Sequence, residues 1–155
     1  MSYLSPHVSV SDTTTQTIAS ANTVQAITFD TNEFLIKAAH STSTNPSRIT
    51  LNEAGQYLIV ASIQVASSSA NKTLDIWFRV NGTDVARSNT KVKIGGANDE
   101  KKFCVNVSVS VTAGQYIEAV MSGDSTALSI QSTAAGTTPT RPITPSIFLT
   151  IDRFS

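Results

Sequence analysis

The residues with the widest chemical repertoire in this chain are two histidines, His7 and His40, and one cysteine, Cys104. Nucleophilic catalysis needs a serine or cysteine within hydrogen-bond reach of a base, and a third group to orient that base. Neither histidine sits in a motif that fixes such a partner, and with so many serines some Ser–His proximity is expected by chance. Cys104 lies between Phe103 and Val105 and reads as a small packed hydrophobe. A reactive thiolate would need a cation held beside it, and Lys101 and Lys102 fall at the strand end. A single cysteine allows neither an internal disulfide nor a zinc-ligand spacing. Asp99, Glu100 and Asp124 are loop acids that specify no calcium site. No catalytic, metal or cofactor residue is assigned, and the expectation is a protein that is not an enzyme. Three Asn-x-Ser/Thr triplets, at Asn71, Asn81 and Asn106, match chance in a chain this rich in serine and threonine. The one remaining chemical feature is Trp77, flanked by Asp75 and Arg79 on the outward side of a strand. It is either a surface binding hot spot or a lid packed over an edge strand.

The elements that must carry these residues are strands. Of 155 residues, 40% are hydrophobic and only 14% charged, which places the chain among globular domains rather than disordered ones. The length suits one domain able to bury its own core. The missing charge is replaced by Ser, Thr, Asn and Gln, residues of sheet faces and turns. Acids and bases balance at 11 each, so nothing supplies the basic field that nucleic acid binding draws on. No apolar run approaches the ~20 residues of a membrane helix, and the start lacks the pattern of a signal peptide. The expectation is a soluble chain made in the cytoplasm, with no membrane and no nucleic acid among its partners.

Period-2 alternation recurs along the whole chain. Residues 1–14 read as a polar N-terminal arm, and 15–155 as the folded domain. Strands are expected at 15–20, 24–29, 34–38, 47–51, 56–66, 73–80, 83–93, 101–111, 115–121, 126–131 and 146–153. Asn81-Gly82 is a two-residue hairpin turn, since both positions favour the positive φ it requires. A loop is expected at 132–142. About ten strands with turns every ~8–12 residues indicate a sandwich or barrel, and long hairpins mixed with long crossovers favour a jelly roll.

Two strands depart from simple alternation. In 56–66, Tyr57, Ile59, Ala61, Ile63 and Val65 share a core face, yet Leu58 and Val60 begin the opposite face. In 146–154, Ile147, Leu149 and Ile151 point one way and Phe148 and Phe154 the other. A strand apolar on both faces is covered on both, and a two-sheet sandwich offers the second face no partner inside the monomer. Leu58, Val60, Phe148 and Phe154 are therefore candidates for a subunit contact.

The order of motifs resembles the tumour necrosis factor and complement globular-head superfamily. The run Ser47–Val60, with Gly55-Gln56-Tyr57 at its centre, resembles that family's block of a strand, x-Gly-x-Tyr and an apolar strand. Phe78-Arg79-Val80-Asn81-Gly82 resembles its central hairpin. Val109–Ile117 resembles its apolar strand, Gly-Asp turn and strand, with Gln115 where aspartate is commoner. Ser146–Ile151 stands where the family has its closing strand. The likeness covers about residues 24–154. It implies an all-β, two-sheet antiparallel jelly-roll sandwich of about ten strands that trimerises through one sheet. By that analogy Cys104 and Asn106 join the four apolar residues at the threefold contact. With no collagen stalk, anchor or leader expected, the chain is similar to decoration (cement) proteins of tailed-phage heads. The implied role is a homotrimer on the capsid surface of a virion, with major capsid protein as partner. The alternative is a trimeric receptor- or glycan-binding head, such as a tail-fibre tip.

Overall fold

The computed structural model describes residues 4–155, and every regular element in it is a strand. In chain order these are β1 (His7–Asp12), β2 (Gln16–Thr17), β3 (Gln25–Ala26), β4 (Thr31–Ile36), β5 (Ala38–Ala39), β6 (Ile49–Leu51), β7 (Gly55–Ser67), β8 (Lys72–Val80), β9 (Thr83–Asp84), β10 (Thr90–Ile94), β11 (Glu100–Val111), β12 (Tyr116–Gly123), β13 (Leu128–Ile130), β14 (Gly136–Thr137), β15 (Thr140–Arg141) and β16 (Ile147–Arg153). The chain is all-β, with antiparallel sheets.

β7 organises the first sheet. Its residues 55–66 pair with β11 along one edge, so its other partners take the opposite edge: β16 along 57–63, then β13 along 65–67. Beyond β16 come β1 and β4, and beyond β13 comes β2. The second sheet runs β10-β8-β12-β6-β5, with β9 continuing the β8 edge and β3 pairing with β12.

The two sheets face each other across one core. Val8, Val10, Ile59, Ile63, Leu149 and Ile151 enter it from the first sheet, and Leu74, Ile76, Phe78, Ile117 and Met121 from the second, all with no solvent exposure. Each large apolar side chain removed from water in this way contributes ~1.5–3 kcal/mol. Tyr57 is equally buried and donates its hydroxyl proton to the Glu53 carbonyl at 2.8 Å, so its one polar atom is satisfied.

Several segments differ from the sequence reading. Residues 1–3 of the expected arm lie outside the described residues. Of the rest of that arm, His7–Asp12 is β1, held between β16 and β4. Its Val8 and Val10 alternate with Ser9 and Ser11, but the alternation spans only four residues of a polar stretch, and both faces are buried. The expected strands at 15–20 and 24–29 shrink to the two-residue pieces β2 and β3. Between them Gln16 brackets Thr28, donating to its carbonyl and accepting from its N–H, both at 2.9 Å, while Ile18, Ile27 and Phe29 donate to the backbone carbonyls of Leu128, Ala119 and Pro46. The loop at 132–142 contains the small hairpin β14–β15, whose turn includes a cis Thr138–Pro139 bond.

The return strand expected at 83–93 is broken. Asn81 and Gly82 have φ of 51° and 83°, which makes the tight turn and pairs Val80 with Thr83 and Arg79 with Asp84. Pairing resumes only at Thr90, opposite Ile76. Trp77 and Phe78 therefore face residues 85–89, a wide bulge. The buried Ser88 hydroxyl fills the gap in the ladder by accepting the Phe78 N–H at 3.1 Å. A Cβ at Gly82 would meet only the Tyr116 hydroxyl, at 3.6 Å, so the cost of a side chain there is conformational. Gly82→Val is expected to lose about 1–2 kcal/mol in urea unfolding; no loss would mean the turn does not need its positive φ.

Candidate functional site

The outer face of the first sheet is laid out by its registers. Cys104, Ser62 and Phe148 form one row across β11, β7 and β16; Asn106, Val60 and Thr150 form the next; Ser108, Leu58 and Asp152 the third. Phe154, just past β16, donates its N–H to the Gln56 carbonyl at 3.0 Å and extends the stripe by one row. From Phe148 to Phe154 the stripe is ~20 Å long at strand rise. Leu58, Val60 and Phe148 are 37–39% exposed and Phe154 58%, while Cys104 and Asn106 are also exposed. The structure thus brings all six residues singled out in the sequence to one face. It adds Phe34, 62% exposed on β4, which the sequence reading passed over because β4 shows no alternation.

The charges near these rows are Asp152, with His7 bonded to it, and Lys102 and Arg141, which line a cleft with Ser62 and Phe148 at one end of the stripe. His7 Nδ1 lies 2.5 Å from Asp152 Oδ1, and His7 Nε2 lies 3.2 Å from the Ser9 hydroxyl. The chain of atoms is the one a serine hydrolase uses. Its setting differs. Ser9 is 7% exposed and sits on β1, which is paired along both edges, so its backbone N–H groups are committed to ladders rather than turned toward a developing oxyanion. The geometry fits a hydrogen-bond network locking β1 to β16.

The second surface is on the far side of the sandwich. Trp77 lines an open cleft of about 450 Å³ together with Asp75, Asp84, Val85, Arg87, Asn89 and Ser122. The bulge at 85–89 makes one wall and β8 and β12 the floor. Trp77 Nε1 donates to Asp84 Oδ1 at 2.8 Å, and Arg79 Nε donates to the same oxygen at 2.6 Å. The Arg79 hydrogen bond first, then that from Trp77, holds the Asp84 carboxyl below the usual aspartate range. Asn89 Nδ2 donates to Asp75 Oδ1 at 2.9 Å. The sequence named Asp75, Trp77 and Arg79 here; the cleft is lined by the first two, while Arg79 acts through Asp84. Asp84 was within reach of sequence reasoning, because a two-residue turn at 81–82 places residue 84 opposite residue 79. Arg87, Asn89 and Ser122 were not, since the bulge has no turn motif.

Among the described residues no group of His, Cys, Asp or Glu could hold a metal ion, and no helix is long and apolar enough to cross a membrane. No family model matches the chain, and no curated protein matches it.

Proposed function

We propose that this chain is a non-enzymatic structural protein that forms a homotrimer through the outer face of the first sheet. The carrying observation is the stripe of Leu58, Val60, Phe148 and Phe154, which stays exposed on a sheet face among the described residues. A second copy of the chain is the occupant that fits best. The rows around Val60 carry small polar and apolar groups without net charge, and the one acid beside them, Asp152, is already bonded to His7. Identical faces can meet at the Val60 and Leu58 rows without like-charge repulsion, with Lys102 and Arg141 standing at the Phe148 end. The strand orders β4-β1-β16-β7-β11 and β5-β6-β12-β8-β10 support the jelly-roll reading. The role of that trimer as a capsid decoration protein on a tailed-phage head, bound to major capsid protein, rests on the resemblance described above.

Cys104 supplies the test, because it is the only thiol and lies on the proposed contact. In the native assembly a maleimide is expected to label Cys104 at least about tenfold more slowly than in a monomeric variant, as burial at an interface core excludes reagent and water alike. Equal labelling rates in the two would place Cys104 outside the contact. Cosedimentation with assembled phage heads then tests the capsid role, with free capsid subunits as the comparison.

A further inference from the structure

The cleft at Trp77 is not used by the trimer, and its chemistry differs from that of the trimer face. Its apolar surface is the Trp77 indole, rising from β8, with the Arg79 guanidinium carbon 6.0 Å from the ring centroid. Around it stand two carboxylates, a guanidinium, an amide and a hydroxyl, from Asp75, Asp84, Arg87, Asn89 and Ser122. Each carboxylate has one oxygen engaged by neighbours, Asp84 Oδ1 by Trp77 and Arg79, and Asp75 Oδ1 by Asn89. Their second oxygens accept no hydrogen bond among the described residues, and the exposed Arg87 guanidinium has no partner there. The cleft therefore offers free acceptors and free donors beside an aromatic surface whose position is fixed by its own N–H bond.

Two ligand classes suit an aromatic surface with carboxylates: a cation, or a polyhydroxylated ring. Local charge decides between them. Arg79 is 2.6 Å from Asp84, Lys91 is 4.0 Å from Asp75, and Arg87 lines the same cleft. Two acids are thus met by three cations, and a cationic ligand would gain no net field. A sugar ring needs what remains: acceptors and donors interleaved at its hydroxyls, and an apolar surface against its C–H face. We propose that the Trp77 cleft binds a neutral pyranose, which stacks on the indole while its hydroxyls bond to Asp75, Asp84 and Arg87.

This goes beyond the trimer reading and stands apart from it, because the cleft and the stripe lie on opposite faces of the sandwich. The chain has one tryptophan, so its fluorescence reports on this cleft alone. The probes are the methyl pyranosides of glucose, galactose, mannose and N-acetylglucosamine. At least one is expected to change the Trp77 emission saturably, with a Kd on the order of 1 mM. Arg87→Ala removes an exposed side chain without an internal partner, so it should leave folding intact and weaken that Kd about tenfold, the effect of losing one hydrogen bond to a charged donor. Three results would each overturn the proposal. They are no saturable response to any pyranoside, a saturable response to tetramethylammonium or to sialic acid alone, and a pyranoside response that Arg87→Ala leaves unchanged. The measurement can be repeated on monomeric Val60→Asp, where a retained response separates failure of the trimer from failure of the cleft.

Discussion

Val60→Asp is expected to turn the proposed trimer into folded monomers of 16.4 kDa in sedimentation equilibrium. Val60 stands mid-stripe between Asn106 and Thr150, 37% exposed in the single chain. In the monomer an aspartate there still reaches water, so the fold should survive with a change within about 1 kcal/mol. In the trimer, three copies of that carboxylate would be driven into one another's faces. Each would lose water without gaining a partner, at several kcal/mol per ion, which exceeds what one valine contributes to the contact by burial. Leu58→Asp is a less clean version of the same test, because Leu58 lies opposite Asp152 and the new charge would also repel a neighbour inside the monomer. Wild type and Val60→Asp sedimenting alike as trimers would rule out this face. A monomeric wild type would remove the trimer altogether.

Phe78→Ala is expected to cost about 3–5 kcal/mol, the largest stability effect of any single truncation proposed for the chain. Phe78 has no exposure, and its β8 neighbours Leu74 and Ile76 enter the same core. Beside it the ladder is already interrupted, with Ser88 standing in for the missing strand partner. A cavity at this point cannot be closed by sliding β9 or β10 inward without breaking that bond. Domains of this size have ~5–15 kcal/mol in all, so the variant should melt on the order of 10 °C lower and unfold at clearly lower urea. A loss under about 1 kcal/mol would show that the sheets repack freely around Phe78.

The faces of the long strands were legible in the sequence because burial there follows strict alternation. Tyr57, Ile59, Ala61, Ile63 and Val65 are all fully buried, as expected for one face of β7. The Asn81-Gly82 turn was equally plain, since two positive-φ positions leave few residue choices. What alternation could not reveal was strand length and continuity. β1 was missed because its alternation, Val8 and Val10 against Ser9 and Ser11, covers only four residues in an otherwise polar stretch. The break at 85–89 did leave a trace. Val85 is an odd position, while Val92 and Ile94 are even, so one face cannot hold all three unless the register shifts between them. The cleft followed from that shift, and its lining from β12 and the bulge came together only in three dimensions. The network of His7, Ser9 and Asp152 was hidden for a simpler reason: His7 and Asp152 are 145 residues apart, and only the pairing of β1 with β16 unites them.

That pairing has a consequence for how the chain is made. β16 lies between β7 and β1, yet among the sixteen strands of the described residues it is the last to leave the ribosome. Until it does, β1 has no partner on that edge and β7 is bare from residue 57 to 63. The second sheet can assemble during synthesis, but the first can only be closed at the end, by a strand inserted into its middle. Nascent chains stalled or cut before Ile147 would therefore hold Val8, Val10 and the β7 edge open to one another and to neighbouring chains. The seven residues of β16 thus complete a slot whose two sides, β7 and β1, are both made before them.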